Sequence, residues 1–265
     1  MNVLALQLDI VWHDRRANHA KVSALLDRAG VMPNSLVILP EMFASGFSMD
    51  VGIIADDNDA RHETEQFLQA TARERKIAIM GGLVTRGDDG RGRNEAVIAF
   101  PDGREMVRYQ KLQPFTLGGE AEHYTAGQEI VIFEWQGFKI APFICYDLRF
   151  PELFRAAVLR GAEVFAVIAN WPIARDEHWA TLLKARAIEN LCYVVGVNRC
   201  GKDPYFTYSG RSVILGPRGG EIAAIANAEG AIAGKLHLDP LLEWRRDFPA
   251  LADIRPDFAG ELVGK

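Results

Sequence analysis

Residues 138–171 read FKIAPFICYDLRFPELFRAAVLRGAEVFAVIANW. FKIAPFIC is a short apolar run of strand length. PELFRAAVLRG opens on a proline suited to a first helical turn and closes on a glycine suited to a helix end. EVFAVIAN is again apolar and β-branched, a second strand. Strand, helix and strand in succession mark an α/β unit. Cys145 stands where the first strand ends, and it is either a piece of core or a nucleophile.

The alternation continues outward in both directions. VLALQLDI (3–10), SLVILPE (35–41), IAIMGGLVTR (77–86), NEAVIAF (94–100) and EMVRYQK (105–111) read as strands. RANHAKVSALLDRAG (16–30) and HETEQFLQATARERK (62–76) carry apolar residues at helical spacing. Downstream, EIVIFEW (129–135) and CYVVGVN (192–198) are strand-like, DEHWATLLKARAIEN (176–190) is helical, and residues 210–238 hold three further strands broken by GPRGG and NAEG. Residues 112–128 form an irregular loop long enough to suggest function. No linker, low-complexity segment or internal repeat interrupts the pattern, so residues 1–265 are expected to form a single α/β domain. Its strand content is too high for one small sheet and fits a layered sandwich. From about residue 240, DPLLEWRRDFPALADIRPDFAG reads as a helix running into an extended tail. Its apolar residues must land on the chain's own sandwich or on a partner subunit.

Composition narrows the function. Thirty Lys and Arg against 35 Asp and Glu leave a net charge of −5, which offers no electrostatic footprint for nucleic acid or an anionic membrane. No apolar run approaches the roughly 20 residues of a membrane span. The opening MNVLALQLDIVW lacks a basic region and reads as a strand rather than a signal peptide. Three cysteines without CxxC spacing fit reduced thiols and a cytoplasmic location. The six histidines form no HxxxH or HxH pair, so no metal site is expected.

Three strand ends carry reactive side chains: Glu41, Lys111 and Cys145. Ligands gather at the carboxyl ends of strands in open α/β folds. A thiol nucleophile needs a proton acceptor, and the oxyanion it creates needs a cation or N–H donors. Taken singly, a strand-end cysteine is more often packing, a glutamate more often a surface partner, and a lysine more often solvated. Cys192 and Cys200 belong with the packing class. Cys145 differs because the helix pattern starting at Pro151 follows, and a helix N-terminus stabilises a thiolate. A rival Cys–His arrangement would need His178 as the base, but that residue sits near a helix start where a solvent-facing role is expected.

LPEMF (39–43), YQKLQPF (109–115) and CYDLRFPELFR (145–155) resemble the three signature regions of the nitrilase superfamily of carbon–nitrogen hydrolases. NWP (170–172), LLKARAIEN (182–190), VNRCG (197–201) and YSGRSVILGPRGG (208–220) follow in the order that family shows, so the resemblance spans nearly the whole chain. It implies a four-layer αββα sandwich, assembled as a homodimer or higher homo-oligomer, acting on small-molecule amides without a cofactor. By motif, Glu41 corresponds to the general base, Lys111 to the transition-state lysine and Cys145 to the nucleophile. A supporting glutamate seven residues before a loop glycine falls, with Gly127, on Glu120. The backbone N–H of Tyr146 would join Lys111 in holding the oxyanion. One departure is ENL at 189–191 where relatives often have ENQ, expected to be a packing adjustment at a helix end.

Within the superfamily, PEMFASGFSM, CYDLRFPELFR, NWP and VNRCGKD are most similar to the ω-amidase branch, which deamidates dicarboxylic monoamides such as 2-oxoglutaramate or 2-oxosuccinamate. Such a substrate calls for a cation in the pocket, and Arg175 is the candidate. Phe43, Phe115, Tyr146 and Trp171 adjoin motif positions and are expected to wall it. Arg149, Arg186 and Glu189 are expected to be structural ion-pair residues. The alternatives are another activity of the same superfamily (aliphatic amidase, nitrilase or N-carbamoyl amino acid hydrolase), a non-catalytic dimeric binding protein on the same fold, and a redox-sensing thiol protein.

Overall fold

The computed structural model describes residues 1–57 and 61–255. One sheet contains β1 (Asn2–Gln7), β2 (Leu36–Ile38), β3 (Ala78–Arg86), β4 (Gly92–Ala99) and β5 (Val107–Gln110). A second contains β6 (Phe133–Trp135), β7 (Phe138–Ile144), β8 (Val164–Ala169) and β9 (Tyr193–Asn198). After a small hairpin of β10 (Cys200–Lys202) and β11 (Thr207–Ser209), β12 (Ser212–Leu215) and β13 (Glu221–Ile225) complete that second sheet. The last strand, β14 (Gly230–Lys235), returns to pair antiparallel with β1 at the edge of the first. The orders are therefore β14-β1-β2-β3-β4-β5 and β13-β12-β9-β8-β7-β6. Each sheet has a parallel centre, β1-β2-β3 in one and β7-β8-β9 in the other, flanked by antiparallel strands.

The period-two pattern of the first sheet explains the layering. Val3 and Ala5, Leu36 and Ile38, Ala78 and Met80, and Ala96 and Ile98 point into a core shared with the second sheet. The alternate residues Leu4, Leu6, Val37, Ile79 and Val97 point the other way. There they meet Val22, Leu25 and Leu26 of α1 (Arg15–Ala29) and, beyond a short α2 (Val51–Ile54), Leu68 and Ala72 of α3 (Glu63–Arg75). Both faces of this sheet are thus dry, as a parallel centre requires. After the one-turn α4 (Glu120–His123), helices α5 (Pro151–Leu159) and α6 (Asp176–Asn190) cover the second sheet. Phe154 of α5 stacks on Phe143 of β7 and meets Phe165 of β8 edge-on. Helices, two sheets and helices give the αββα sandwich. Each fully buried Leu, Ile or Phe contributes about 1.5–3 kcal/mol.

Two local differences from the sequence reading have simple causes. The strand expected over 129–135 is confined to Phe133–Trp135, the stretch that pairs with β7. The β10–β11 hairpin has only three residues per strand, too few for a periodic signal. In the C-terminal segment, α7 (Leu238–Asp247) buries Leu241 against its own chain. Arg245 ties it down by donating to the Leu191 and Ala162 carbonyls, both at 2.9 Å. Leu242 and Phe248 remain exposed, and the tail beyond residue 255 lies outside the described residues.

Candidate active site

Strands of both sheets deliver four residues to one place, three from the parallel centres and Lys111 from the edge strand β5. Glu41 lies three residues past β2, Lys111 directly follows β5, Cys145 directly follows β7 and Asn170 directly follows β8. Two glycines make the convergence possible. A Cβ on Gly82 of β3 would stand 2.5 Å from Glu41 Cα, so only glycine lets the Pro40–Met42 stretch cross the strand this closely. That crossing is secured by Gly82 N–H donating to the Pro40 carbonyl at 3.1 Å and Phe43 N–H donating to the Gly82 carbonyl at 3.0 Å. At Gly127 a Cβ would collide with the Gln110 carbonyl, while its N–H donates to Lys111 O at 2.8 Å. The loop after Lys111 is thereby stitched back onto the strand end that presents the lysine.

The floor of the site is a buried polar network. Lys111 Nζ is 2.7 Å from Glu120 Oε2 and 3.1 Å from Glu41 Oε1. Asn94 Nδ2 donates to both carboxylates, at 2.8 Å each. Glu41 Oε2 accepts from the Asn170 backbone N–H at 2.8 Å, and Glu120 Oε2 from the Phe115 N–H at 2.7 Å. All these side chains are buried, where an unpaired charge would be expensive. Burial works against the Lys111 ammonium, but Glu120, Glu41 and Cys145 outweigh it and hold its pKa well above the usual lysine range.

Cys145 sits in the left-handed backbone region, with φ of 47°. That region is strained for a non-glycine residue, and such strain collects at functional sites. Helix α5 does not begin at the cysteine; a 3₁₀ turn, Cys145–Arg149, intervenes. The expected thiolate stabilisation is overturned accordingly. Burial, reinforced by Glu41 and Glu120, pushes the thiol well above its ordinary pKa, against the pull of Lys111 and the Asn170 backbone. Asp147 fixes the turn, accepting from Ile144 N–H and Gln113 N–H at 2.9 Å each and from Tyr109 Oη at 2.7 Å. Burial lifts the Asp147 carboxyl to about 6 in spite of these donors.

A narrow pocket opens over Cys145 and Asn170. Phe115, Tyr146, Trp171 and Arg175 line it. Phe43 does not: its ring is fully buried against Gly81 and Leu68, near the stacked pair His19 and Phe67. It belongs to the layer between the first sheet and its helices, because Glu41 and Phe43 leave the same turn in different directions. Arg149 is a correction in the opposite sense. It has no carboxylate within ion-pair distance among the described residues and lines the pocket, its guanidinium 4.9 Å from the Trp171 ring centre and 3.2 Å from His178 Nδ1. Arg175 also lacks a carboxylate partner among the described residues and lies 5.5 Å from the Phe115 ring centre. Arg186 and Glu189 do form an ion pair, at 2.9 Å, and Arg186 also donates to Leu148 O. His178 is exposed and outside the pocket lining, so no Cys–His pair is assembled.

Sequence reasoning missed Asn94, Asn170, Phe47, Phe206 and Tyr208. Asn170 had a signal in NWP, a polar residue ending a fully apolar strand. Asn94 had none beyond being polar in a buried strand.

Residues 3–246 match the family model for carbon-nitrogen hydrolases. The chain is 38% identical over 258 residues to a Yersinia enterocolitica protein named omega-amidase YafV, covering 96% of each. It is 33% identical over 256 residues to a 2-oxoglutaramate amidase of Bacillus subtilis, covering 96% of this chain and 98% of that one. Its structure is similar, with a TM-score of 0.89 and 36% identity, to XC1258 from Xanthomonas campestris, a CN-hydrolase superfamily protein with an arsenic adduct in its active site. That match covers 96% of this chain and 97% of the other.

Proposed function

This chain belongs to the carbon–nitrogen hydrolase family, and we propose that it is a thiol-dependent ω-amidase deamidating small dicarboxylic monoamides such as 2-oxoglutaramate or 2-oxosuccinamate. The observation that carries the reading is the pair of arginines, Arg149 and Arg175, that share one narrow pocket with Cys145 and have no carboxylate of their own among the described residues. A substrate carboxylate supplies the missing partner, through charge-assisted hydrogen bonds, and leaves the amide at the far end to meet the thiol. The aromatic walls fit the short carbon chain between the two ends.

In this reading Glu41 accepts the thiol proton as Cys145 Sγ attacks the amide carbon. The raised thiol pKa favours proton transfer that accompanies attack. Lys111 and the Tyr146 backbone N–H hold the oxyanion of the tetrahedral intermediate. Glu41 returns the proton to the nitrogen, ammonia leaves, and a thioester remains on Cys145. Water then gives its proton to Glu41 and attacks the thioester carbon. The product carboxylate departs and the thiol is restored. Glu120 keeps Lys111 in place through the 2.7 Å contact and helps orient the water.

The same reading takes the protein as a single-domain, cytoplasmic homodimer or higher homo-oligomer. Three free thiols suit a reducing compartment, and the exposed Leu242 and Phe248 give a second copy apolar surface to cover. No described helix is long and apolar enough to cross a membrane.

The test is ammonia release from 2-oxoglutaramate, 2-oxosuccinamate, glutamine, asparagine, an aliphatic amide, an aliphatic nitrile and an N-carbamoyl amino acid. Cys145→Ala protein is the control. The two oxo-acid amides should be turned over fastest and only by protein carrying the thiol. Preference for the nitrile or the carbamoyl compound would sink the ω-amidase reading.

A further inference from the structure

Two cavities of very different size, one of them over Cys145, adjoin at Phe47 and Phe206. The pocket over the thiol is narrow, whereas the neighbouring groove, lined by Trp12, Asp50, Arg91 and His123 among others, is far larger. Among the described residues, Phe47 and Phe206 alone line both. We infer that these two rings form a size-selecting wall, which confines substrates to short, unsubstituted amides by closing the thiol pocket off from the groove. The inference rests on reading Cys145 as the nucleophile.

Both rings are held in place. Phe47 stands with its ring centre 5.6 Å from Lys111 Nζ, within cation–π range of the buried ammonium. Phe206 is carried by the turn between β10 and β11, which one buried carboxylate organises. Asp203 accepts from the backbone N–H of Tyr205 at 2.8 Å and of Phe206 at 2.7 Å, and from Tyr208 Oη at 2.5 Å. Beneath that turn the fully buried Arg199 guanidinium lies 4.5 Å from the Tyr208 ring centre and 4.0 Å from Asp203. Core packing does not account for Phe206, since the residue is 43% exposed. An anchored turn that presents a half-exposed aromatic ring to both cavities acts as a partition. The groove behind it, edged by polar side chains and by the exposed Leu117, is where a nitrogen substituent or a longer acyl chain would lie.

The experiment measures access to the thiol directly. Full-length wild-type, Phe206→Leu and Phe206→Ala proteins are treated with iodoacetamide and with the bulkier N-phenylmaleimide. Alkylation of Cys145 is followed by mass spectrometry against a Cys145→Ala background. The ratio of the bulky to the small rate should rise about tenfold in Phe206→Ala, the scale on which pocket size discriminates ligands, with Phe206→Leu in between. An unchanged ratio overturns the wall. Hydrolysis of a 2-oxo-acid amide and its N-benzyl derivative is measured alongside, and the N-benzyl compound should gain relative to its parent in Phe206→Ala. A raised alkylation ratio with no amide turned over by any protein keeps the wall and sinks the amidase reading. An unchanged ratio in an active amidase does the reverse.

Discussion

Lys111 and Arg175 are both cations beside Cys145, but they are held on opposite terms. Lys111 is 2% exposed and locked between two carboxylates, while Arg175 is half-buried over an aromatic ring with no carboxylate partner among the described residues. The floor of the site is a network in which each of these charges answers another, so removing one strands the rest. The wall is a set of loop-borne rings and cations with contacts to spare for a ligand. On the proposed function, chemistry is built into the first and selectivity into the second.

The strongest way to break this division is at the floor. Glu41→Gln keeps the shape and removes the proposed base, and turnover should fall by about 10²–10⁴-fold. An active Glu41→Gln protein, measured by ammonia release, would remove Glu41 from the mechanism. Lys111→Met should lower turnover by about 10²–10³-fold, the usual effect of deleting an oxyanion donor. It should also lower the melting temperature, because two buried carboxylates are left facing each other without a cation. A Lys111→Met protein as stable as wild type would contradict the account of the floor.

At the wall the expected effects are smaller and of another kind. Arg175→Leu should lower kcat/KM for 2-oxoglutaramate relative to a neutral aliphatic amide by about 10–100-fold, the worth of a charge-assisted hydrogen bond. That loss should fall mainly on KM, with thermal stability unchanged. A proportional loss on both amides would move Arg175 out of substrate selection.

The smallest effect sharpens the rear of the floor. His19 stacks on Phe67 at 4.2 Å with an interplanar angle of 2°, behind Phe43, and burial lowers its pKa from 6.5 to about 4. Glu63 and Asp56 favour the proton, Arg15 opposes it, and burial prevails. In that window the unfolded chain binds the proton that the folded chain refuses, so stability is full above pH 6.5 and declines toward pH 4. The decline should be about 1–2 kcal/mol and should shrink in His19→Phe, as read from urea unfolding at pH 7 and pH 5. Equal declines in the two proteins would place the acid sensitivity elsewhere.

Glu41, Lys111, Cys145 and Glu120 were legible because each stands in a short motif, three of them at the end of a strand pattern. Their ends converge once the two sheets pack face to face, since β2 and β5 lie in one sheet and β7 in the other. Arg149 and Phe43 were misread for one reason: both adjoin motif positions, and adjacency in sequence does not say which way a side chain turns. Arg149 leaves a 3₁₀ turn toward the pocket, and Phe43 leaves the Glu41 turn toward Leu68 and Gly81. Asn94 was invisible because its partners lie 53 and 26 residues away.

The sequence by itself determined the layered α/β architecture and the order of the reactive strand ends, because hydrophobic periodicity and turn residues are local properties of the chain. It also determined that Gly82 and Gly127 are glycines, without saying why. Only the tertiary structure decided that those glycines admit a second backbone, that Asn94 and Asn170 complete the floor, and that burial pushes the Cys145 thiol pKa up. It likewise decided which aromatic rings face the pocket and which face the core. These outcomes depend on burial and on distances between segments far apart in the chain, and neither quantity exists until the two sheets have packed.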